Sequence, residues 1–252
     1  MSDQPTPLAV PVEEATRLAR AAREVGVDAR LLGGVGVVVH AHGPIPQELA
    51  RTHHDIDYVV RQADSRAWRQ LLVDHGYEED AQFNMIHGHQ RLLHWDRLHD
   101  RQLDTFIDDF EMCHRLALHE QWGGPPGLLT PADLLLTKLQ VVEINDKDLT
   151  DALLLVAFHP VGGSGPEEVS GERIARVVGG DWGWYATVQT NLEKLASRAR
   201  SISGDAALRA LLGERITGLQ AVVEEAPRSL RWRLRAVVGR RMAWYELPEE
   251  PD

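Results

Sequence analysis

The sequence predicts an α+β fold, a mixed β-sheet flanked by helices over residues 1–160, followed by an all-helical region over 167–252. Three observations carry this. Helical and strand-like periodicities alternate through the first 80 or so residues, a cluster of strand-like segments follows between Phe83 and Ile107, and beyond the loop at Gly162 to Pro166 the pattern becomes wholly helical. A chain of 252 residues with 43% hydrophobic content can bury a full core as one large or two modest domains.

From Val12 to Val25 the small and apolar residues Ala15, Leu18, Ala19, Ala22 and Val25 recur at helical spacing, and Gly26 supplies a stop. Ala29 to Leu32 reads as an apolar strand running into the pair Gly33-Gly34, and Val35 to Val39 continues as helix or strand. A polar connection with Pro44 and Pro46 leads to Arg51 and a strand from Asp55 to Val60. Ser65 is placed to cap a helix through Trp68, Leu71 and Leu72 that Gly76 closes.

Phe83 to His87, Arg91 to Trp95 and Leu103 to Ile107 read as antiparallel strands. Thr130-Pro131-Ala132-Asp133 is a helix start, with Thr as cap and Pro at the first helical position. Asp148 is expected to cap the next helix, which runs through Leu153 and Val156 to a stop at Pro160. The last region reads as helices over Glu172 to Val178, Asp181 to Ser201, Asp205 to Ala226 and Ser229 to Tyr245. Arg228, Arg231, Arg233, Arg235, Arg240 and Arg241, interleaved with Trp232 and Trp244, form either a solvated face balancing Glu224, Glu225 and the acidic tail or a surface that contacts RNA or a nucleotide.

Composition narrows the function classes. A net charge of -11 argues against a mainly electrostatic grip on nucleic acid, so no stable DNA binding is expected. The single cysteine, Cys113, permits no intramolecular disulfide and no thiolate zinc cage, which fits a reducing cytoplasm. The polar, Pro-rich start lacks the pattern of a signal peptide, and no apolar run reaches the 18 to 20 or so residues that span a bilayer. A cytoplasmic protein without membrane contact is expected.

The chemistry concentrates at His53-His54-Asp55-Ile56-Asp57. In a strand, the period of two sends Asp55 and Asp57 to one face, about 7 Å apart at Cα for a rise of roughly 3.3 Å per residue. Such a pair can converge on a hard divalent cation, although Asp-x-Asp alone is also common in solvated turns. Gly33 and Gly34 either let backbone N–H groups approach a phosphate or form a plain tight turn. Asp104 stands in a largely apolar strand, where a charge needs a partner or a metal. Lys138, set among leucines, either snorkels to water or points at an anion.

Leu32-Gly33-Gly34, Arg51 followed by Asp55-Ile56-Asp57, Leu103-Asp104-Thr105-Phe106, Phe110-Glu111-Met112, Leu136-Thr137-Lys138-Leu139 and Lys147-Asp148-Leu149-Thr150-Asp151 occur in this order between about Ala29 and Phe158. In them the chain resembles the nucleotidyltransferase superfamily, and within it small bacterial abortive-infection and minimal nucleotidyltransferase proteins. The resemblance implies a nucleotidyltransferase-like domain over 1–160 that transfers a nucleoside monophosphate from an NTP to an acceptor hydroxyl on a small molecule, a protein or RNA. Asp55, Asp57 and Asp104 would hold Mg2+ or Mn2+, with Asp104 helping to deprotonate the acceptor. Gly33, Gly34, Arg51 and Lys138 would hold the nucleotide phosphates. Members often carry Ser where this chain has Gly34, and Thr where it has His53.

Two alternatives follow from the same residues. One is a catalytically inactive nucleotidyltransferase fold kept as a nucleotide- or protein-binding module. The other is an HD-type metal phosphohydrolase, because His54-Asp55 matches the His-Asp doublet of that class and the chain has 12 histidines, all but His159 between His40 and His119. That class needs its doublet on a helix, whereas Ile56, Tyr58, Val59 and Val60 favour a strand.

Overall fold

The computed structural model describes residues 5–118, 122, 125–163, 165 and 167–246. The first positions of the Pro-rich start, Ser164 and Pro166 of the expected loop, His119 and the acidic tail lie outside the described residues. The chain forms two compact units. The first comprises residues 1–39, 52–110 and 117–129, and the second 40–51, 111–116 and 130–252.

The first unit is built on a mixed sheet. Its strands are β1 (Arg30–Leu32), β2 (Ile56–Val60), β3 (Glu78–Glu79), β4 (Arg91–Asp96) and β5 (Arg101–Ile107), in the order β1-β2-β5-β4-β3. β2 and β5 are parallel and the other neighbours antiparallel, as expected for an α+β fold. The helices of this unit are α1 (Pro11–Glu24), α2 (Gly33–Val39), α3 (Ser65–Asp74) and α4 (Ala81–His87).

Alternation decides which sheet face is covered. Ile56, Tyr58 and Val60 of β2 and Leu103 and Ile107 of β5 join Ala15, Leu18, Ala22, Trp68 and Leu72 in one buried cluster. The Tyr58 hydroxyl donates to the Ala15 carbonyl at 2.5 Å, and the Trp68 indole N–H donates to Thr105 Oγ1 at 2.8 Å, so these two hydroxyls are satisfied by α1 and α3. Period two then sends Asp57, Asp104 and Phe106 to the other face.

Several local expectations are corrected. Phe83 to His87 is not a strand but α4, capped by Asp80, whose carboxylate accepts from the Phe83 N–H at 3.0 Å. The run after the glycine pair, expected as helix or strand, is helical and belongs to α2, which begins at Gly33. Asp64, not Ser65, occupies the position before α3, and the Ser65 hydroxyl donates to the Gln62 carbonyl instead.

The second unit holds α5 (Pro131–Leu139), α6 (Asp146–Phe158), α7 (Gly171–Gly180), α8 (Trp182–Ser201), α9 (Ala206–Glu225) and α10 (Leu230–Val238). A two-stranded sheet, β6 (Asp109–Glu111) with β7 (Arg115–Ala117), is divided between the units in sequence. Thr130 caps α5 as expected, accepting from the Asp133 N–H at 3.1 Å. α6 is capped by Asn145 rather than Asp148, which leaves the Asp148 carboxylate for another contact. α10 stops at Val238, short of the expected Tyr245, because Gly239 turns with φ +58 and Arg235 gathers the Gly239, Met242 and Ala243 carbonyls. No helix among the described residues is long and apolar enough to cross a membrane.

Candidate functional site

The register of β2 against β5 builds the site. Asp57 stands directly beside Asp104, and because directly paired residues share a face, both carboxylates project from the side away from the α1 and α3 core. Adjacent strands run about 4.8 Å apart, so the two carboxylates are immediate neighbours. Asp55 precedes the first residue of β2 and is exposed. Asp57 and Asp104 thus lie on two adjoining strands of one unit, from sequence positions 47 residues apart, with Asp55 in the segment that leads into the first of them.

Gly33 closes in on the same point. It follows the β1 residue Leu32, which is itself paired with Asp57, and its φ of +67 turns the chain into α2. A Cβ at Gly33 would lie 1.8 Å from Asp57 Oδ2. Glycine is therefore required twice over, by the backbone conformation and by the carboxylate that occupies the side-chain space. Gly34 is half-buried in the first turn of α2.

Asp104 is only 6% exposed, and its partner is a residue that sequence reasoning missed. Arg91 of β4 grips it as a fork, Nε to Oδ1 at 2.7 Å and Nη2 to Oδ2 at 2.9 Å, while Gln102 Nε2 donates to Oδ2 at 2.7 Å. The guanidinium also lies over the Phe83 and Phe106 rings at 5.6 and 5.2 Å. Burial alone disfavours the Arg91 charge; the Asp104 carboxylate and the nearby Asp57 outweigh it and hold its pKa above the ordinary value. The available signal was weak. Arg91 opposes Phe106 and so sits diagonal to Asp104 on one face, a relation that depends on the β4–β5 register.

No family model matches the chain, and no curated protein matches it significantly. Among solved structures it is similar to an antigenic nucleotidyltransferase-like protein from Paracoccidioides brasiliensis. The two share 15% identity at a TM-score of 0.44, with 89% of this chain and 97% of that chain covered. At that distance, function has to be read from the side chains of this chain.

The remaining expected phosphate ligands, Arg51 and Lys138, belong to the second unit. Both are committed to carboxylates there. Arg51 forks onto Asp151 through Nε and Nη2, each at 2.6 Å, and Lys138 Nζ lies 2.9 Å from Asp148 Oδ1 and 2.9 Å from Asp151 Oδ2. Burial opposes the charge on both Lys138 and Asp151. Their mutual attraction, with Arg51 and Asp148, prevails, so the lysine is held above and Asp151 below its usual range. Lys138 does not snorkel to water. Its anion is an internal one, and Asp148 and Asp151 are two further residues the sequence did not single out for this purpose.

The segment 51–55 carrying His53, His54 and Asp55 is not helical and leads straight into β2. The helical setting that an HD-type hydrolase needs is absent there. Cys113 is buried.

Proposed function

We propose that the chain is a metal-dependent nucleotidyltransferase whose centre is Asp55, Asp57 and Asp104. The observation that supports this most is the parallel pairing of Asp57 with Asp104 on the sheet face opposite the α1 and α3 core, with Gly33 pressed against the Asp57 carboxylate. Like charges placed side by side are costly unless a cation joins them. The donor set fits Mg2+ or Mn2+, since it offers carboxylate oxygens and no softer ligand. Asp55 and Asp57 would hold the ion, and Asp104, although engaged with Arg91 and Gln102, keeps lone pairs free to complete the shell. When bound, the ion would polarise the α-phosphate and balance charge on the entering and leaving oxygens.

The chain's own groups do the rest. Gly33 and Gly34 let the backbone come close to the triphosphate without a side chain in between. Asp104 accepts the acceptor hydroxyl's hydrogen bond and then its proton as the oxygen bonds to the α-phosphorus and pyrophosphate departs. Arg91 holds Asp104 in orientation through its two hydrogen bonds. Arg51 and Lys138 are assigned to the phosphates by the resemblance, and a triphosphate would have to compete with Asp148 and Asp151 for them. NTP is the substrate, and the acceptor is a small molecule, a protein or RNA.

A second possibility draws on a specific contact. The Arg91 fork on Asp104 is what an inactive nucleotide- or protein-binding module would keep after losing one of its metals, because the guanidinium already supplies the counter-charge. One experiment separates the two. With each labelled NTP, Mg2+ or Mn2+, and acceptors including the protein itself and tRNA, the enzyme releases pyrophosphate and Asp57→Ala abolishes the release. Nucleotide binding without any turnover would favour the module, and no NTP binding at all would refute the enzyme.

A further inference from the structure

The second unit holds a cluster of metal-ligand side chains with no part in the nucleotidyl transfer described above. His42, His159 and Glu167 each present a ligand atom, and the three atoms lie within 4.8 Å of one another. We propose that these residues form a binding site for a divalent transition ion of the zinc class. The site rests on its own geometry and not on the proposed transferase activity.

His159 is the anchor. It caps the C-terminus of α6 and is fully buried, with its ring Nδ1 2.8 Å from the Glu167 carbonyl oxygen. A carbonyl can only accept, so Nδ1 carries the proton and Nε2 carries the lone pair. Nε2 is buried and has no hydrogen-bond partner among the described residues. Burial holds this imidazole below its ordinary pKa, in the neutral form. A neutral imidazole whose other nitrogen is tied to a backbone carbonyl is the usual form of a histidine metal ligand.

The other two donors are free to adjust. The side chains of His42 and Glu167 are 52% and 57% exposed, and Nε2 of the one lies 2.5 Å from Oε2 of the other. Tetrahedral zinc with bonds of about 2.0–2.1 Å spaces its donors about 3.4 Å apart, so modest rotations of two exposed side chains convert the direct contact into shared coordination. The backbone around them is already set. Val169 N–H bonds to the Pro160 carbonyl at 2.9 Å and Gly162 N–H to the Val169 carbonyl at 3.1 Å, which presents Glu167 on a short closed loop beside the end of α6. The rings of His40 and His42 meet His159 edge-on at 5.2 and 5.3 Å, which fixes the segment carrying His42 at the same place.

Donor chemistry selects the ion. Two imidazoles with one carboxylate suit Zn2+, Co2+ or Ni2+ and disfavour Mg2+, which prefers all-oxygen shells. Three protein ligands leave a position for water, and the bound ion would clasp the segment 40–51 to the loop following α6.

The test uses the tag-free full-length chain, stripped with EDTA and titrated calorimetrically with ZnCl2 and, separately, MgCl2. Wild type is expected to bind one Zn2+ at micromolar or tighter affinity with a rise in Tm, and Co2+ is expected to give the intense visible bands of low coordination. His42→Ala and Glu167→Gln alter exposed side chains, so they should match wild type in EDTA and lose at least about tenfold in Zn2+ affinity. Asp57→Ala should bind Zn2+ as wild type does. Unchanged affinity in both cluster variants, absence of saturable Zn2+ binding, or loss of binding in Asp57→Ala would each overturn the assignment.

Discussion

At the scale of single residues, the balance of charge around Asp57 and Asp104 makes two predictions. Arg91 is only 25% exposed, and its removal takes the guanidinium away from the Asp104 carboxylate, which stands beside Asp57. Breaking a buried pair costs about 3–5 kcal/mol, and partial exposure reduces this to about 2 kcal/mol for Arg91→Met. A cation that binds only the folded state should restore stability by mass action. Urea denaturation is therefore expected to show Arg91→Met destabilised in EDTA and rescued by Mg2+ more than wild type is; equal Mg2+ response in both would show that these aspartates hold no cation. Gly33→Ala combines a left-handed backbone penalty of about 1–2 kcal/mol with a clash against Asp57 Oδ2. Gly26 has a similar φ of +78 and open space around it, so Gly26→Ala carries the backbone penalty alone. Gly33→Ala should be the less stable of the two and should weaken Mg2+ and NTP binding, while Gly26→Ala leaves both unchanged.

At the scale of elements, what was legible followed from local chemistry and what was not followed from pairing. α1, α5, α7, α8 and α9 announce themselves by 3.6-residue periodicity with glycine stops or Ser, Thr and Asp caps, and β2, β4 and β5 by β-branched or alternating runs. α4 was misread because Phe83 and Met85 alternate with polar residues, while the deciding contacts are longer in range. Asn84 donates from Nδ2 to the Leu93 carbonyl at 3.1 Å and accepts at Oδ1 from the Leu93 N–H at 2.7 Å, which replaces strand pairing on β4 beyond Glu79. Asn84→Ala strands the Leu93 N–H in a buried setting, while the Leu93 carbonyl keeps the Asp80 N–H at 3.0 Å, and should cost about 1–3 kcal/mol, with faster amide exchange at Leu93 as the local readout. An unchanged exchange rate at Leu93 would show that α4 is held by something else. The same limit applied to the site. Periodicity put Asp104 on the correct face, but the Arg91 diagonal to it is set by how β4 turns into β5 through Asp100, a residue at φ 49.

At the scale of the whole molecule, each unit contains a buried histidine that the fold keeps neutral, and together they give stability a defined pH dependence. In the first unit His94 lies on the core face of β4, and burial lowers it to about 4 although Glu79, 3.7 Å away, pulls the other way. In the second, burial lowers His114 to about 4, Asp181 opposing only in part, and the ring lies 2.9 Å from Thr187 Oγ1 and beside Trp184. The unfolded chain titrates its histidines near 6.5. Between that value and about 4 the unfolded state therefore binds more protons than the folded one, and stability falls as pH falls, by up to about 1.4 kcal/mol per pH unit for each histidine. Above about 7 neither residue contributes a slope. Below 4 their loss is complete, and further weakening comes from Glu14 and Asp151, whose carboxyls are held low, despite burial, by Arg17 in the one case and by Arg51 and Lys138 in the other. Urea midpoints measured from pH 7.5 to 4.5 are expected to fall steeply below 6.5, and His114→Gln, which cannot take up a proton, should remove about one proton from the slope. The same slope in His114→Gln as in wild type would mean that the buried ring is not the group that titrates.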